Sequence, residues 1–142
     1  MKKTLISLFN VLLAGVLLFT GCSSVKTYAN LREMYDSGYF DENIAEGMKD
    51  YDPSYLTGKA VYIDEKTIGY EYYLVQEFSD ELIHISIPQF EKNMEEAEPR
   101  MQQVISGFLK HVDIQEMNLK TSIIYYPTGE VLAEYTYSNT KN

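Results

Sequence analysis

Residues Asp80–Val112, DELIHISIPQFEKNMEEAEPRMQQVISGFLKHV, decide how this chain folds. Ile83, Ile87, Phe90, Met94, Ala97, Met101, Val104, Phe108 and Val112 recur at spacings of four and three, drawing one apolar stripe along an amphipathic helix. Glu91, Lys92, Glu95, Glu96 and Lys110 fall outside that stripe. Pro88 and Pro99 interrupt it, and each removes a backbone donor at about 3 kcal/mol inside a helix. The pattern predicts a helical arm broken or kinked at one or both prolines, with Pro99 opening a second helix. A short strand over Leu82–Ile87 is the alternative.

A strand pair flanks the arm on each side. Before it, Val61 and Ile63 share one face of a segment Lys59–Asp64, and Glu65-Lys66 makes a turn. Ile68, Tyr70, Tyr72 and Leu74 then alternate with Gly69, Glu71, Tyr73 and Val75, a period of two rich in strand formers. After the arm, Thr121–Tyr126 and Val131–Tyr137 flank Pro127-Thr128-Gly129, whose proline and glycine suit a hairpin turn with one residue at positive φ. Nearer the N-terminus, Tyr28, Leu31 and Tyr35 outline a short helix over Thr27–Ser37, stopped by Gly38. Asp41 is placed to cap a second one running through Met48, which Asp52-Pro53 ends. The expected class is α+β: two β-hairpins form a four-stranded antiparallel sheet, packed on one face against a long, Pro-interrupted helical arm, with short N-terminal helices.

The first 26 residues read differently. Lys2 and Lys3 precede an apolar stretch, Leu5–Phe19, of about 15 residues or roughly 22 Å as a helix, short of the ~30 Å hydrocarbon core. That is the form of a secretory signal over residues 1–21. Leu18-Phe19-Thr20-Gly21-Cys22 resembles the lipobox of bacterial lipoproteins, and Cys22 is the sole cysteine. The resemblance implies cleavage between Gly21 and Cys22 and a diacylglyceryl group on the Cys22 sulfur. Residues 22–26 are then the lipidated cysteine and a short tether, and 27–142 a single extracytoplasmic domain. The expected address is the outer leaflet of the cell membrane. Two acyl chains give stable anchoring where one does not.

The lipobox, the strand centred on Tyr70-Glu71-Tyr72-Tyr73, the helical arm, and the ending Ile123-Ile124-Tyr125-Tyr126-Pro127-Thr128-Gly129-Glu130-Val131-Leu132 together resemble a family of small Gram-positive lipoproteins that carries a domain of unknown function. The resemblance implies this layout and a cell-surface address, and it carries no activity.

Charge and cysteine usage narrow the partners. The chain carries −9, and loss of Lys2 and Lys3 leaves 10 basic against 21 acidic residues, a net of −11. A domain so acidic is repelled by phosphate backbones, so nucleic acid is not an expected partner. With one cysteine there is no internal disulfide, and packing alone must hold the domain. His84 and His111 are far apart and have no ligand spacing, so no metal or cofactor is expected. Asp41-Glu42 and Asp50-Tyr51-Asp52 lack the glycine and spaced acids of a calcium loop. No nucleophile elbow or phosphate-binding glycine loop occurs.

Thirteen tyrosines are the unusual feature. Tyr70, Tyr72, Tyr73, Tyr126, Tyr135 and Tyr137 fall at strand positions, and a sheet covered on one face would present some of those rings to solvent as a contact surface for a protein or cell-wall partner. The expected role is a non-catalytic interaction module. The alternatives are an envelope-acting enzyme using carboxylates such as Glu95 or Asp113, and a carrier of a small apolar molecule beside Met94 and Met101. Growth of the producing cells on radiolabelled palmitate checks the anchor: the protein should carry label, and Cys22→Ser should carry none.

Overall fold

The computed structural model describes residues 27–141, so the leader 1–21, Gly21, Cys22 and the tether 22–26 lie outside the described residues. Helices α1 (Leu31–Asp36) and α2 (Tyr39–Met48) come first. Strands β1 (Leu56–Asp64) and β2 (Thr67–Leu74), helices α3 (Asp80–Glu96) and α4 (Glu98–Leu109), and strands β3 (Glu116–Tyr125) and β4 (Glu130–Thr140) follow. The sheet order is β1-β2-β3-β4. The α+β class therefore stands.

The all-antiparallel sheet does not. Strands β1/β2 and β3/β4 are antiparallel hairpins, but β2 and β3 pair in parallel, with Ile68 opposite Leu119 and Tyr72 opposite Ile123. The physical reason lies in the connection. Residues 75–115 carry two helices that return the chain to the end of the sheet where β2 began, and strands joined by such a crossover run the same way.

The helical arm is two separate helices, with Pro99 opening the second as expected and Pro88 causing no break. Pro99 stands in the first turn of α4, where a missing N–H costs nothing, and the break falls at Ala97. Pro88 stays inside α3. Ser79 caps α3 by accepting from the Leu82 N–H, which sets Leu82–Ile87 in helix and not in a strand. Eight of the nine stripe residues are buried and Ile87 is partly so, so the periodicity marks the core-facing side of both helices.

The first segment differs in detail. Asn30, not Thr27, opens α1: its side chain accepts from Glu33 N–H, while the Glu33 carboxylate accepts from Ala29 N–H, just before the cap, at 2.8 Å. Tyr28 lies outside the helix, joined to Val112 by a single parallel β-bridge. Asp41 does not cap α2, whose N-cap is Gly38; its carboxylate instead accepts from the Ala60 N–H on β1 at 3.3 Å. The second turn is as expected, with Gly129 at φ 76°.

Inward side chains of the four strands meet the helices in one core. Phe40, Tyr70 and Phe108 form its aromatic centre, the Phe40 and Phe108 rings 5.3 Å apart and edge-on. Inward residues of β4 also bond the helices. Tyr137 donates to the Met94 carbonyl at 2.8 Å, Tyr135 donates to Glu98 Oε2 at 2.7 Å, and the Asn139 amide donates to the Gln102 carbonyl at 2.8 Å. Met94 lies in the last turn of α3, where carbonyls lose their helical partners, so Tyr137 supplies one. Phe108→Ala should lower stability by about 3–5 kcal/mol, and Tyr137→Phe by about 1–3 kcal/mol through the orphaned carbonyl. Urea unfolding followed by circular dichroism measures both.

Candidate functional site

The six strand tyrosines separate by face. Tyr70, Tyr72 and Tyr137 are 0%, 2% and 0% exposed, and Tyr135 is half-buried on the same helix-covered side. This corrects their placement on an open contact face. Their hydroxyls explain it, because a Tyr ring buries well when the helices above offer a polar partner. Tyr70 donates to the Asn43 side chain on α2 at 2.8 Å, and Tyr137 and Tyr135 bond α3 and α4 as described. Tyr125, also inward, holds the start of the crossover by accepting from Phe78 N–H and donating to its carbonyl.

Tyr73 and Tyr126 alone of the six stand on the uncovered face. Tyr126 is 64% exposed, and its ring meets Tyr73 edge-on at 6.1 Å. Lys59 Nζ lies 5.5 Å from the Tyr73 ring centre and 3.7 Å from Glu71, to which the Tyr73 hydroxyl donates. Burial, and then the Glu71 carboxylate, raise the Tyr73 hydroxyl above the ordinary tyrosine value. Elsewhere this face mixes polar pairs, Lys120 with Glu134 and Ser138 with Asn118, with the exposed apolar side chains of Ile63 and Val131. Sequence alternation identified Tyr73; Tyr126 follows β3 at the turn.

Two clefts meet at the β1 edge beside this pair. One, of about 290 Å³, lies on the uncovered face against Thr57, Lys59, Tyr73 and Tyr126. The other, of about 350 Å³, runs between α2 and β1 and is lined by Asp41, Ile44, Ala45, Met48 and Tyr51 along with Leu56–Gly58. The Tyr51 hydroxyl is buried here without a hydrogen-bond partner, and burial together with the Asp50 charge pushes it up to about 12. At Gly58 the strand passes close under α2: a Cβ there would come within 2.7 Å of Met48 Sδ and 3.1 Å of Ile44 Cγ2. Sequence reading missed this groove, because helix α2 and strand β1 are joined in space and not by any motif.

A third cleft, of about 530 Å³, lies where the chain enters the domain, against Asn30, Arg32, Tyr62 and Lys66. Its cations are engaged, Arg32 over the Tyr62 ring and with Asp36, Lys66 with Glu116.

The residues considered for chemistry do not converge. Glu91, Glu95, Glu96 and Asp113 are exposed, and none of the three clefts is lined by Glu95 or Asp113. His84 is exposed with Nδ1 at 2.7 Å from the Asp80 carbonyl, and His111 rests against the Tyr39 ring. Among the described residues no group of three or more His, Cys, Asp or Glu is placed to hold a metal ion. Met94 and Met101 are packed into the core and line none of these clefts. Comparison with family models, with curated proteins and with solved structures returns no match.

Burial holds the hydroxyls of Tyr70, Tyr72 and Tyr137 well above the ordinary tyrosine value, with neighbouring tyrosines adding to it. In the unfolded chain they ionise near about 10. The folded state thus keeps protons that the unfolded state releases, so stability is full below about pH 10 and falls as pH rises beyond it. Urea midpoints at pH 8 to 11 should show this decline, and Tyr72→Phe should flatten it.

Proposed function

We infer that the protein is a lipid-anchored, extracytoplasmic binding module that works by contact and not by catalysis, with its contact surface at the Tyr73–Tyr126 pair. The observation that carries this reading is that pair itself: two rings in edge-on contact on the uncovered face, one of them 64% exposed, beside a lysine. Exposed Tyr supplies large contact area at low entropic loss and a hydroxyl for specificity. A protein or cell-wall strand is the partner proposed.

The lipobox-like Leu18–Cys22 supports the anchor and the membrane address. No helix among the described residues is long and apolar enough to cross a membrane. The attachment proposed is the diacylglyceryl group on Cys22. The chain enters the domain at Tyr28, beside Val112, at the end of the sheet that holds the β1–β2 turn. Tyr73 lies six residues up β2 from Thr67, about 20 Å towards the other end. The aromatic pair thus lies at the end of the sheet away from the proposed anchor.

Affinity capture from solubilised membranes of the producing cell, with the full chain as bait, tests this reading. A recovered partner should be lost with Tyr126→Ala and weakened with Tyr73→Ala. A partner indifferent to both changes would move the contact surface elsewhere.

A further inference from the structure

The geometry points to a second element of this binding surface: the groove between α2 and the β1 edge takes an extended peptide as an added strand, with an apolar side chain opposite Gly58 and a basic one beside Asp41. This rests on the reading of the protein as a binding module, and it names the class of partner.

The main chain of β1 carries the argument. Val75 N–H bonds to the Tyr55 carbonyl at 3.0 Å, which fixes the ladder phase: Thr57, Lys59 and Val61 bond to β2, while Leu56, Gly58, Ala60 and Tyr62 turn their N–H and C=O groups outward. Two of these outward positions are engaged by the domain itself. Leu56 N–H reaches the Asp52 carbonyl at 3.3 Å, Ala60 N–H reaches Asp41, and the Ala60 carbonyl accepts from Tyr35. Neither the N–H nor the C=O of Gly58 bonds another element. An unpaired donor and acceptor on an edge strand are a template for one more strand.

The side chains around Gly58 then define what fits. A residue placed antiparallel opposite Gly58 exchanges both hydrogen bonds with it and points its side chain to the covered side. There the walls are Ile44, Ala45 and Met48, one face of α2, so an apolar side chain matches. Two residues along, the peptide's side chain meets the exposed Asp41 carboxylate, which calls for a cation. In the other direction it meets Leu56 and the half-buried Tyr51. The intervening peptide side chains fall on the opposite face, into the cleft at Thr57, Lys59 and Tyr73, where small polar residues are accommodated. The two clefts thus receive alternate side chains of one strand, as the period of two demands. A second copy is disfavoured as occupant, because each chain carries −9 and the groove ends on an acid.

Read from opposite Ala60 to opposite Leu56, this chemistry spells acetyl-Lys-Thr-Leu-Thr-Val-amide. With a fluorescein label on that peptide, the anisotropy of its complex with the full chain in dodecyl maltoside measures the interaction. Saturable binding is expected. N-methylation of the leucine, whose N–H faces Gly58, should weaken it about tenfold, one hydrogen bond's worth, whereas N-methylation of either threonine leaves it unchanged. Ala45→Trp, at an exposed position on α2, should weaken it comparably while the thermal midpoint stays where it was. Exchanging the peptide's lysine for glutamate should also reduce affinity. The proposal is overturned if no saturable binding occurs, if all three N-methyl peptides bind alike, or if the peptide only disperses a dimer of the chain. Loss of the groove result with Tyr126-dependent capture intact would remove the strand partner and leave the binding module standing.

Discussion

A helical return broken at Pro99 must still lie flat on the sheet, and β4 is what holds it there. Where the helix breaks, the carbonyls of the last turn of α3 lose their partners. The Tyr137 hydroxyl takes up the one at Met94, Tyr135 reaches Glu98 just past the break, and Asn139 reaches into α4. Three inward residues at alternate positions of one strand thus fasten both halves of the return. The parallel pairing of β2 with β3 depends on that return, because a connection that left the sheet would not bring the chain back to start β3 beside β2.

This arrangement also explains the tyrosine content. A phenylalanine would fill the same volume under the helices but could not satisfy the Met94 carbonyl, the Asn43 side chain or the linker at Phe78. The strands use Tyr as a core residue with a polar tip. Seen as sequence, Tyr70-Glu71-Tyr72-Tyr73 reads equally well as a sticky face, since alternation assigns residues to two faces without saying which one is covered. The stripe from Ile83 to Val112 was legible because its period is long and its residues are uniformly apolar. The turn at Pro127–Gly129 was legible because only a few residues tolerate that backbone. The direction of β3 was not, because hairpin signals are local and the path of residues 75–115 is a tertiary matter. The groove beside β1 was hidden for the same reason, since it joins a helix face to the main chain of a strand eight or more residues away.

One-sided cover has a functional consequence. The helices spend their apolar stripes on one side of the sheet, so the other side keeps its pairs of opposite charge and its two aromatic rings in solvent. The same packing leaves β1 as an edge strand shielded at Ala60 by Asp41 and Tyr35 but open at Gly58. Contact chemistry is therefore concentrated at one corner of the domain, where edge, groove and aromatic pair adjoin, and at the end of the sheet away from residue 27.

Tyrosine nitration with tetranitromethane, mapped by mass spectrometry on the folded protein, tests the one-sided cover most directly. Tyr126 should be modified readily, whereas Tyr70, Tyr72 and Tyr137 should stay unmodified until the protein is unfolded in urea. Nitration of Tyr70 or Tyr137 in the native state at a rate near that of Tyr126 would contradict it.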